Sequence, residues 1–194
     1  MIRSVCVYCA SSSRSPEIYL EAAARLGRAL AEAGMGIVYG GSSLGSMGRM
    51  AEAALATGGK VTGVLPQFMD ELEWGHRNLT ELRVVDDMHE RKRTMLELAD
   101  AVVALPGGCG TLEELFEAIT WKRLGLFFGP VVLVNVNGFF DSCVALLNRA
   151  VDERFMDEKH RAMWSVVAEP EAAPEALRMA PEWPREAREF AALR

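Results

Sequence analysis

The chain has 194 residues, 50% of them apolar and 25% charged, with 17 glycines and 8 prolines. That is enough for one α/β domain burying roughly 70% of its unfolded surface, and too apolar for disorder. Twenty-seven acidic against 21 basic residues leave a formal charge of −6, which argues against a nucleic-acid partner needing a broad phosphate-neutralising face and leaves room for a local basic site.

Met1 to Val5 leads straight into a strand-length apolar run, without the charged start, long apolar core and small-residue cleavage site of a signal peptide. No apolar run approaches the roughly 18 residues of a membrane span, so a cytoplasmic protein with no membrane partner is expected. In that compartment the four scattered cysteines, Cys6, Cys9, Cys109 and Cys143, are free thiols.

Short β-rich runs then alternate with amphipathic stretches, the pattern of a parallel sheet covered by helices. Val5 to Tyr8 reads as a buried strand. The stretch from Pro16 to Ala33 sets Tyr19, Ala22, Ala23, Leu26, Leu30 and Ala33 on one helical face and stops at Gly34. A strand from Gly36 to Tyr39 runs into the glycine turn Gly40 to Gly48 and a helix ending near Gly58-Gly59. Further strands fall at Val61 to Leu65, Leu82 to Val85, Ala101 to Leu105 and Val131 to Asn135, with a short one near Val166-Val167. Helices are expected at 88–99, 111–124, 139–153 and 171–179. The interruption from Pro66 to Thr80 is long enough for a working loop. The expected architecture is a Rossmann-like, doubly wound parallel sheet flanked by helices on both faces. Residues 1–180 form its single domain, with 181–194 as a surface-docked or frayed tail. Its ligand crevice lies beyond the carboxyl ends of the strands.

The second glycine turn, Pro106-Gly107-Gly108-Cys109-Gly110-Thr111-Leu112-Glu113-Glu114, follows a strand and opens a helix. Glycines let backbone N–H groups converge on a ligand, and the helix adds unpaired amides and the positive end of its dipole, so a phosphate is the natural guest. Thr111 can donate its hydroxyl to that phosphate. It can equally be the helix N-cap, since Thr111-x-x-Glu114 matches a capping box, which would leave Glu114 a purely structural role. The Gly40–Gly48 turn fails as a dinucleotide fingerprint on spacing, and no Gly-Lys-Ser/Thr follows either turn, against a Walker-type ATPase. The run Met88-His89-Glu90-Arg91-Lys92-Arg93 reads as a solvated helix start or, because its helix leads into the strand before Pro106, as the source of an arginine for a bound anion.

Other residues offer less. Cys109 at a helix start has no histidine nearby in the chain, and Cys6-x-x-Cys9 lacks a second pair for zinc. His76, His89 and His160 lack metal-ligand spacing and read as a loop, a helix-start and a surface residue; no metal is expected. The methionines and tryptophans mostly fill the core and a dimer seam, with Met47 or Trp74 as candidates to flank an adenine or an N6 tail. None of the four lysines, Lys60, Lys92, Lys122 and Lys159, stands in a setting that would hold pyridoxal phosphate.

Tyr39-Gly40-Gly41 with Gly45 and Met47-Gly48, then Met88-His89-x-Arg91-Lys92, then Pro106-Gly107-Gly108-x-Gly110-Thr111-x-x-Glu114, resemble the Lonely Guy (LOG) family, in order and at family spacing over residues 3–168. The resemblance implies a cytokinin riboside 5′-monophosphate phosphoribohydrolase, a family often mislabelled as lysine decarboxylases. Such an enzyme hydrolyses the N-glycosidic bond of an adenosine 5′-monophosphate, often N6-substituted, to free base and ribose 5-phosphate, without a cofactor. It implies Arg91 and Glu114 as the catalytic pair and Gly108, Gly110 and Thr111 as the phosphate turn. Lys92, Glu113 and Thr120 would line the nucleotide site, Glu73 would look toward the base, and Gly41 and Ser42 would touch the substrate. It also implies a homodimer with shared sites, suited by the helix around Ile119-Thr120-Trp121. The chain departs from the family at Ser42 and Ala10, where glycine is usual, and at Ser46, where leucine is. The competing reading is a nucleotide or molybdenum-cofactor carrier of the same superfamily, which needs the glycine turn but not Glu114 beside Arg91.

Overall fold

A computed structural model describes residues 1–72 and 75–191. Glu73 and Trp74, both singled out above, lie outside the described residues. Seven strands form one sheet: β1 (Ser4–Tyr8), β2 (Gly36–Tyr39), β3 (Val61–Pro66), β4 (Glu81–Val85), β5 (Ala101–Ala104), β6 (Val131–Val134) and β7 (Trp164–Val167). Their order is β4-β3-β2-β1-β5-β6-β7 and every pairing is parallel. The connections run outward one way from β1 and the other way from β5, so the strand order reverses between these two. That reversal opens a crevice at their carboxyl ends.

Both faces are covered, which is why the central strands read as unbroken apolar runs: every residue of β5 and β6 is buried. Side-chain alternation sorts them. Val5 and Val7 face one cluster with Ile37, Leu26 and Leu30, and Cys6 and Tyr8 face the other with Val102, Ala104 and Leu115. Helices α1 (Glu17–Glu32), α2 (Gly45–Ala56) and α7 (Ala173–Met179) supply the first face; α4 (Met88–Glu97), α5 (Cys109–Arg123) and α6 (Asp141–Asp152) supply the second. Gly34 ends α1 at φ +73°, the left-handed position expected of it.

Three expectations change. The interruption from Pro66 to Thr80 carries a one-turn helix, α3 (Gln67–Glu71), which a window this short and mixed does not signal. Helix α5 begins at Cys109 with Gly108 as N-cap, two residues before the expected start, because Gly108 keeps the extended backbone an N-cap needs. His160 is a core residue, 0% exposed, since its short 3₁₀ turn (Glu158–Met163) packs beneath Trp183 and Phe190 of the tail. Trp183, Ala187 and Ala191 of that tail are themselves buried.

Candidate active site

A cavity of about 340 Å³ occupies the crevice at the strand-order reversal. Three connections wall it: Cys9 to Ser12 after β1, Gly40 and Ser42 after β2, and Gly108, Gly110 and Thr111 at the start of α5. The β5 turn delivers its anion-binding geometry through α5, whose first turn has no side-chain cap while Gly108, Gly110 and Thr111 line the cavity. First-turn N–H groups without intrahelical partners, facing a cavity at a positive dipole end, suit a phosphate.

Asp87 fixes where α4 begins, its carboxylate accepting from the N–H groups of His89 at 2.7 Å and Glu90 at 2.8 Å. One turn on, Arg91 points inward and is 6% exposed. Its Nε donates to the Val64 carbonyl and its Nη2 to the Gly40 carbonyl, both at 3.1 Å. Two strand ends therefore hold the guanidinium flat at the cavity wall. Position 40 must be glycine for this, because a Cβ there would collide with Nη2.

Glu114 faces it. Only 4% exposed, its Oε1 lies 3.7 Å from Arg91 Nη1, an ion pair too long for a hydrogen bond. Burial pushes the Glu114 carboxyl up to about 7; Arg91 and Lys92 pull it down, while Glu113 and Glu117 push it further up. The capping-box reading of this residue fails. With Gly108 as N-cap, Thr111 lies inside the helix and has no N-cap role, so Glu114 is left facing Arg91 and the cavity.

The remaining candidates divide. Gly108, Gly110, Thr111 and Ser42 line the cavity with the pair. Gly41 stands just behind, at φ +77°, its carbonyl accepting the His76 N–H at 2.8 Å. Lys92 is buried but engages Glu113, and Glu117 at 3.3 Å, on the α4–α5 flank. Neither Lys92 nor Glu113 lines the cavity, and Thr120 is exposed further along α5.

Several lining residues escaped the sequence reading. Ser11 and Ser12 face the cavity from the β1 connection, and Leu65, Met69 and Met88 give it an apolar wall beside Met47. The only sequence signal for them was position, each standing at or just past a strand's carboxyl end or on the helix that follows. Cys9 is also there, its thiol pushed up by burial and so inert as a nucleophile. Among the described residues the lining contains no lysine, so pyridoxal phosphate has no attachment point in this cavity.

Residues 47–177 match the family model described as "Possible lysine decarboxylase". A protein of Oryza sativa subsp. japonica named "Probable cytokinin riboside 5′-monophosphate phosphoribohydrolase" is 45% identical over 170 residues, covering 88% of this chain and 74% of that protein. The cytokinin riboside 5′-monophosphate phosphoribohydrolase of Rhodococcoides fascians is 42% identical over 177 residues, 91% of this chain and 89% of that one. Among solved structures, the molybdenum cofactor carrier protein of Chlamydomonas reinhardtii superposes with a TM-score of 0.70 over 93% of this chain and 98% of that chain. At 23% identity that likeness shows the fold alone.

Proposed function

The chain belongs to the Lonely Guy (LOG) family, and from that premise we propose that it hydrolyses the N-glycosidic bond of adenosine 5′-monophosphates, N6-substituted ones included. The products are the free purine base and ribose 5-phosphate. The observation that carries this reading is the buried Arg91–Glu114 pair, 3.7 Å apart, beside an uncapped helix start in one cavity. A carrier needs the anion site but gains nothing from a buried carboxylate there.

Breaking a ribosyl C–N bond builds positive charge on the sugar while the purine leaves with the bonding electrons. The ionised carboxylate of Glu114 stabilises that charge and orients or deprotonates the attacking water. Arg91, fixed by two main-chain carbonyls, favours the ionised form of Glu114 against its burial and contributes to holding the anionic substrate. The first turn of α5, with Thr111, takes the 5′-phosphate, whose binding energy positions the sugar. Ser42 borders the sugar side, with Gly41 just behind it. The apolar wall of Met47, Met69 and Met88 suits the base, toward which Glu73 is also assigned.

Lys92, Glu113 and Thr120 act from the outer flank of α4 and α5. We assign them to a homodimer seam, where a second copy completes each site; the half-exposed Leu124 and Leu126 at the end of α5 suit that seam. Residues 1–180 act as one catalytic domain, with the tail packed on it. No helix among the described residues is long and apolar enough to cross a membrane. Its cysteines are unpaired among the described residues, and we place the protein in the cytoplasm. Incubation with AMP and with isopentenyladenosine 5′-monophosphate, followed by separation of base from ribose 5-phosphate, tests the reading. Base released from either supports hydrolysis; tight nucleotide binding without release from either would favour the carrier.

A further inference from the structure

Helix α5 presents Glu114 near its start, and its far end is finished by the chain's own tail. The last carbonyls of a helix have no intrahelical donors. Here the Trp183 Nε1–H donates to the Lys122 carbonyl at 2.7 Å, and Arg188 donates to those of Leu124 at 3.2 Å and Gly125 at 3.4 Å. In return Arg123 Nε donates to the Ala191 carbonyl at 2.8 Å. A cation at this end also complements the helix dipole.

The same tail closes over His160. The imidazole is fully buried, its ring centroid 5.6 Å from that of Phe190 and 6.1 Å from that of Trp183. Its Nδ1 accepts the Asp157 N–H at 2.8 Å, which places the ring proton on Nε2. That Nε2 has no hydrogen-bond partner among the described residues. A second proton must go to Nδ1, where it meets the Asp157 N–H donor head on.

The cations around the ring oppose that proton. Arg123 faces it from α5 and disfavours the proton, while the Asp157 carboxylate at the start of its own turn favours it. Lys159 Nζ lies over the Phe190 ring at 4.7 Å and Lys122 Nζ over the Trp183 ring at 5.7 Å. Burial, then Arg123, lowers the His160 pKa below 6.5, with Asp157 partly offsetting.

We propose that residues 181–191 are an acid-released clasp on the C-terminal end of α5, held closed by neutral His160 and opened when His160 is protonated and pushes out Trp183 and Phe190. The direction follows from linkage. A histidine whose docked-state pKa is depressed takes up its proton more readily when the tail is undocked, so docking is complete above about 6.5 and weakens as pH falls. The clasp stands apart from the glycosidic chemistry; it sets how firmly the helix that carries Glu114 is anchored.

The test is exchange protection of the Trp183 indole N–H in the full chain, followed by NMR from about pH 7.5 to about 5.5, with Trp183→Phe assigning the resonance. Protection should fall several-fold, and by at most about tenfold, across this range while the β1 and β5 amides stay protected, and His160→Gln should abolish the fall. Constant protection in the wild type, or the same midpoint in His160→Gln, would overturn the clasp. If His160→Gln fails to fold, the wild-type ring decides. A depressed His160 midpoint coinciding with Trp183 release supports the proposal, and His160 titration with no matching change at Trp183 refutes it.

Discussion

Helix α5 buries two ionisable groups two turns apart, and they do opposite things. Glu114, near the start, is pushed up to about 7 by burial while an arginine 3.7 Å away opposes the shift. Lys122, at the end and 1% exposed, is pushed down to about 8 by burial alone. Its Nζ has the Gly129 carbonyl at 2.8 Å and the Trp183 ring. Both are strongly shifted, yet of the two only Glu114 lines the cavity, which the start of α5 also lines. A displaced pKa thus marks burial; a cavity, an opposite charge and a place for the reacting atom are what turn burial into chemistry.

The comparison can be broken most sharply at Glu114. Glu114→Gln keeps the shape and removes the charge, and base release from AMP should fall by about 10²-fold or more, since one preorganised charged group supplies that much. Retained wild-type turnover would reduce Glu114 to a second Lys122. Nearly as large an effect is expected from removing the substrate's phosphate. Adenosine should be turned over far more slowly than AMP, because remote binding energy positions the sugar; equal kcat/KM for the two would remove the phosphate from the account. Arg91→Ala should both raise KM and lower kcat, a split visible in steady-state kinetics.

The pH dependences sharpen the contrast at smaller amplitude. If ionised Glu114 is the active form, kcat/KM rises with pH through about 7 and levels off above it. The folded state also binds more protons at Glu114 than the unfolded state does between 4.5 and 7, so this group makes the protein progressively less stable as pH rises through that window. Glu114→Gln should therefore gain stability over the wild type at pH 8, by up to about 3 kcal/mol. Lys122 runs the other way, depressed from 10.5 to about 8, so wild-type stability rises with pH across that interval. Lys122→Met should remove that rise and leave kcat/KM within about twofold of the wild type; thermal melts at pH 7 and pH 10 measure the first.

Much of this was legible in the residues. All seven strands stand where the apolar runs put them, most sharply the inner ones, because strands covered on both faces have little freedom of composition. The glycine turn was legible from its place between strand and helix, whereas spacing left Arg91 and Glu114 with structural alternatives and only the family resemblance singled them out; the structure brings all three to one cavity. The start of α5 was not, because Thr111 and Glu114 meet the spacing of a capping box without forming one; the extended backbone of Gly108 decides the boundary. His160 looked exposed because it stands in the charged run Asp157 to Arg161, and its cover comes from Trp183 and Phe190, more than twenty positions later in the chain. The methionine wall was invisible for a similar reason. Leu65, Met69 and Met88 come from three separate elements, and only the sheet order makes them neighbours.

The central claim is that the Arg91–Glu114 cavity adds water across the ribosyl C–N bond. It is tested most directly by turnover of AMP in ¹⁸O-labelled water, with mass analysis of both products. The account predicts free adenine and ribose 5-phosphate carrying one ¹⁸O on the sugar, with the phosphate ester unlabelled and intact. Label in released inorganic phosphate, or bound AMP recovered unchanged, would contradict it.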